Sequence, residues 1–74
     1  MKNKLTCYAK LLTERFTENG CTLLKQSSFE NNIIIDLKRN NLDTLIIERI
    51  VMSSHCRYRL EITKENIKIL LYEE

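Results

Sequence analysis

A chain of 74 residues, 43% hydrophobic and 30% charged, can build one small core and is too apolar to be disordered throughout. Its formal charge of +2 is well short of a charge-driven nucleic-acid binder, and its single glycine excludes a glycine-rich phosphate loop. No apolar run approaches the roughly 18 residues that a membrane span needs. Cys7, Cys21 and Cys56 are odd in number and widely spaced, with no CxxC and no histidine pair, so neither a disulfide framework nor a metal site is written in the chain. No cofactor motif accompanies them. The opening MKNKLTCYAK lacks the apolar stretch of a signal peptide, so the chain is expected to begin at its own Met1 and to act in a reducing cytoplasm.

The first element predicted is an amphipathic helix over residues 3–18. Leu5, Tyr8, Ala9, Leu12 and Phe16 recur at helical spacing on one face. Asn3 can cap its start, and Asn19-Gly20 supplies the left-handed stop at its end. A short strand over 21–26 follows, and SSFENN reads as a polar break. Ile33, Ile34 and Ile35 open a second strand over 33–38, since branching at Cβ favours extended backbone. Asn40 and Asn41 make the next turn, with an asparagine able to adopt positive φ.

Residues 42–54, LDTLIIERIVMSS, fit two readings. Leu42, Leu45, Ile46, Arg49 and Ile50 suit a helix capped by Asn41 or Asp43. Thr44, Ile46, Ile47, Ile50 and Val51 favour a strand over about 43–52, which is the reading adopted, with Ile35 opposite Leu45 and Ile33 opposite Ile47. The last two strands, 55–62 and 67–72, alternate cleanly. Pairing Ile62 with Ile67 sets Leu60 opposite Ile69, Tyr58 opposite Leu71, Glu61 opposite Lys68 and Arg57 opposite Tyr72.

The predicted fold is α+β. One N-terminal helix packs on one face of a four- or five-stranded antiparallel β-sheet, in meander order, as one domain over residues 1–74. A helix about 10 Å wide lying on strands about 4.8 Å apart shields two or three of them on one side. The opposite face is therefore where function is expected. Alternation places Ile34, Ile46, Ile50, Met52, Leu70 and Tyr72 there, with Arg57, Arg59 and Lys68 and the acids Asp36, Glu48 and Glu61 beside them.

The candidate chemistry is sparse. His55 and Cys56 are neighbours on a strand and point to opposite faces, so they make a poor nucleophile and base. Asp36 and Glu48 can approach across adjacent strands, yet two carboxylates without a pocket are ordinarily solvated. The chain is therefore expected to be a non-enzymatic module whose apolar centre and charged rim bind a larger protein or a second copy of itself. The abundance of isoleucine, asparagine and lysine fits a small reading frame of an AT-rich virus or mobile element, where such a protein would block a host factor such as a defence or transcription protein. The alternative is RNA or DNA binding, with Arg57, Arg59 and Lys68 on phosphate and Tyr72 stacked on a base.

Overall fold

The computed structural model describes residues 3–54 and 56–72, with side chains from residue 5 onward, so the expected cap at Asn3 and the side chain of His55 lie outside the described residues. Helix α1 spans Asn3–Glu18, as its periodicity predicts, and buries Leu5, Ala9, Leu12 and Phe16. Its end is a double hydrogen-bonded stop. The Cys21 N–H donates to the Phe16 carbonyl at 3.0 Å and the Gly20 N–H to that of Thr17 at 3.1 Å, with Gly20 at φ 95°. Glycine takes that backbone without a Cβ penalty, and Phe16 and Cys21 on either side of the stop are both buried in the core cluster.

Strands β1 (Thr22–Phe29) and β2 (Asn32–Lys38) form a hairpin around Glu30-Asn31, with Glu30 at φ 55°. The first strand outruns its predicted end at residue 26. Ser27, Ser28 and Phe29 pair with Ile34, Ile33 and Asn32, so the hydrogen-bonding demand of β2 keeps this polar stretch extended and the break shrinks to two residues. Asn40 and Asn41 take φ 52° and 69° at the following turn, the conformation expected of them.

The strand predicted over 43–52 is a helix, α2 (Thr44–Met52). Asp43 is its N-cap, accepting the Leu45 N–H at 3.1 Å, and Ile47, Ile50 and Val51 are buried at helical spacing. At the other end the Ser53 and Ser54 hydroxyls donate to the carbonyls of Ile50 and Val51. The predicted pairs Ile35–Leu45 and Ile33–Ile47 are absent because a later strand takes that edge. Strand β4 (Asn66–Tyr72) pairs with β2, setting Ile35 opposite Ile69 and Ile33 opposite Leu71, and β3 (Arg57–Ile62) pairs with β4 on its far side.

The result is an α+β fold with one four-stranded antiparallel sheet in the order β1-β2-β4-β3, on which α1 packs. This order corrects the predicted meander: β4 inserts between β2 and β3, which run parallel to each other and are joined through α2. The hairpin register is as the alternation predicts, with Ile62 opposite Ile67 and Glu61 opposite Lys68.

One layer of side chains makes the core. Ile33, Ile35, Leu37, Ile67, Ile69 and Leu71 from the inner sheet face meet the buried residues of α1 and α2. Phe16, fully enclosed, contributes on the order of 1.5–3 kcal/mol by leaving water. Arg39, just after β2, ties two loops together. Its Nε donates to the Leu42 carbonyl at 2.7 Å, one Nη to the Thr63 carbonyl at 3.0 Å and the other to the Thr44 hydroxyl at 2.8 Å.

Candidate interaction surface

Both helices contribute to the core on the inner face, so among the described residues the outer face of the sheet is left open along all four strands. Cross-strand pairing sorts that face into rows. In the first, Lys25, Asp36, Lys68 and Glu61 follow one another from β1 to β3, with alternating charge. Each lysine therefore stands beside a carboxylate, which balances the local field.

The second row reads Ser27, Ile34, Leu70 and Arg59. Ile34 and Leu70 are half-buried, packed side by side on the two central strands and shielded by neighbouring side chains rather than by a helix. The third row reads Phe29, Asn32, Tyr72 and Arg57, with Phe29 66% exposed. Two shallow depressions of about 230 and 290 Å³ share Leu70 and Arg59 as walls. The first adds Ile34, Glu61 and Lys68, and the second Asn32 and Tyr72. Arg59 is exposed, and among the described residues its side chain makes no hydrogen bond or ion pair.

Of the predicted binding residues, Ile34, Leu70, Tyr72, Arg57, Arg59 and Lys68 stand together on this face. Ile46 and Ile50 do not. With residues 44–52 helical, Ile50 turns into the core at 9% exposure, and Ile46, 41% exposed, lies on α2 in the other layer. Glu48 leaves with them, which removes the approach of Asp36 and Glu48 expected from a strand. Phe29 was missed because SSFENN reads as a break. The signal was its alternation with Lys25 and Ser27, which puts it on the same face.

The thiols lie elsewhere. Cys7 is exposed, Cys56 half-buried and Cys21 buried, all three free. Burial pushes the Cys21 thiol above its ordinary value, partly offset by the nearby Arg39 charge, and burial likewise raises Cys56, partly offset by the neighbouring Ser54 side chain. No group of three His, Cys, Asp or Glu side chains among the described residues could hold a metal ion, and no helix there is long and apolar enough to cross a membrane. Comparison of the chain with protein-family models, curated proteins and solved structures finds no match.

Proposed function

We propose that this chain is a non-enzymatic binding module that seats a larger protein on the open face of its sheet and so blocks that protein's surface. The observation that carries this reading is the placement of Ile34 and Leu70. They form an apolar centre beside two depressions, bounded by Arg59, Lys68 and Glu61 on one side and Tyr72 on the other. An apolar middle with a charged, wet rim is the usual anatomy of a protein interface. Arg57 and Arg59, at the end of the face away from Asp36, favour an acidic partner and would speed association more than they deepen affinity. The isoleucine-, asparagine- and lysine-rich composition supports a viral or mobile-element inhibitor acting on a host protein in the cytoplasm.

A second reading, binding of single-stranded nucleic acid, is favoured by one row. Phe29 and Tyr72 offer rings for stacking, with Arg57 at the end of that row for phosphate. Asp36 and Glu61 oppose a longer strand, because a polyanion running from that row along the strands meets both carboxylates in the first row. The test is purification from native host lysate with and without nuclease, using the unaltered chain, Leu70→Glu and Arg59→Ala. The protein reading expects a partner that survives nuclease and is lost with Leu70→Glu while the far-ultraviolet spectrum is unchanged. Nucleic acid in the eluate, with binding abolished by Arg59→Ala and by added salt, overturns it.

A further inference from the structure

The two edges of the sheet are built differently. Edge strand β3 is six residues long and half of it is charged, with Arg57, Arg59 and Glu61 alternating along its length. Charge on an edge is the ordinary protection against pairing with another chain. Edge strand β1 is the longest in the sheet at eight residues, and Lys25 is its one charge. It has no proline, and all of it is exposed except the half-buried Ser27. Leu23 and Leu24 stand 39% and 52% in water and Phe29 66%. Its other side already pairs with β2, and among the described residues no strand lies beside its outer backbone groups.

We propose that this edge pairs antiparallel with the β1 edge of a second copy, joining two sheets into one of eight strands. Two features of β1, and the size of the core, select a copy of itself. First, an irregularity between Leu23 and Lys25 interrupts the ladder, which leaves Lys25–Phe29 as the regular stretch with Ser27 at its midpoint. Second, a two-fold axis through Ser27 sets Ser27 against its own copy, Gln26 against Ser28, and Lys25 against Phe29. That register contains no like-charge pair, and it lays each lysine beside an exposed aromatic ring, an arrangement of cation–π type. An axis through Lys25 would instead oppose two lysines. Third, a core drawn from 74 residues is small, and extending the sheet adds both hydrogen bonds and apolar cover.

An axis perpendicular to the sheet keeps both open faces on the same side. The two Ile34–Leu70 centres then share one continuous surface, their β2 strands about 14 Å apart at ordinary strand spacing. The pairing itself does not depend on what docks there.

Sedimentation equilibrium over a concentration series tests the proposal. The expected species has twice the 8.8 kDa chain mass. Ser27→Lys, which opposes two new cations on the axis, should weaken the dimer several-fold while leaving the spectrum and melting of the monomer unchanged. In a Cys7→Ser background, mild oxidation of Ser27→Cys should give a disulfide-linked dimer, and the same change at Lys64 in the distant β3–β4 turn should not. A monomer at every concentration with no Ser27→Cys cross-link overturns the proposal. So does a dimer indifferent to Ser27→Lys.

Discussion

Glu61 and Lys68 stand directly opposite each other on β3 and β4, and Lys68 meets Asp36 on its other flank. One lysine thus lies between two carboxylates, on the same row as Lys25. Lys68→Glu would set three acids side by side across β2, β4 and β3. We expect a loss on the order of 1–2 kcal/mol, summed over two cross-strand pairs, and a lower urea midpoint. The loss should shrink in high salt, because the row is solvent-facing. A midpoint unmoved by the change would show that the row is not energetically coupled.

Helix α2 makes a prediction that a strand would not. Ile47 is fully buried whereas Leu45 is 67% exposed, although the two would share a face if the backbone were extended. Ile47→Ala should cost about 2–5 kcal/mol by chemical denaturation. Leu45→Ala should stay within about 0.5 kcal/mol. Equal losses at both positions would contradict the helix.

Arg39 bridges the β2–α2 loop and the β3–β4 turn through the Leu42 and Thr63 carbonyls and the Thr44 hydroxyl. Arg39→Ala removes all three bonds at once and is expected to lower stability by about 1–3 kcal/mol, read as a fall in melting temperature. Arg39→Lys should recover only part of it. An ammonium cannot reach three acceptors with the geometry of the guanidinium fork.

The thiols should separate by exposure. Under native conditions an alkylating reagent should modify Cys7 promptly and Cys21 only as fast as the fold opens, which peptide mapping over time would resolve. Burial raises the Cys21 pKa above its ordinary 9.0. The unfolded chain therefore loses that proton first as pH rises, and the folded state loses stability relative to it. This contribution is intact below about pH 9 and declines as the pH climbs from there towards the raised folded value. In a Cys56→Ser background, so that the other raised thiol does not contribute, Cys21→Ala should flatten that alkaline decline in urea midpoints.

The extent of α1 and the register of the β3–β4 hairpin were legible in the residues alone, because both rest on local periodicity. Leu5, Ala9, Leu12 and Phe16 repeat at 3.6. Tyr58, Leu60 and Ile62 repeat at two, and Glu61 opposite Lys68 leaves one register that satisfies every pair. The same alternation placed Ile34, Leu70, Tyr72, Arg57, Arg59 and Lys68 on one face.

Residues 44–52 could not be read this way. Thr44, Ile46, Ile47, Ile50 and Val51 satisfy a strand as readily as Ile47, Ile50 and Val51 satisfy a helix, so local preference is divided. What decided it was distant in the chain. Strand β4 takes the edge of β2 with Ile69 opposite Ile35, no place remains there for residues 44–52, and the inner sheet face needs a second cover that a helix capped by Asp43 provides. That choice withdrew Ile46 and Ile50 from the open face. The pairing of Phe29 with Asn32 brought an aromatic ring onto it instead. Period and charge along a strand are short-range properties carried by neighbouring residues. Which strands lie side by side is settled only by the packing of the whole chain.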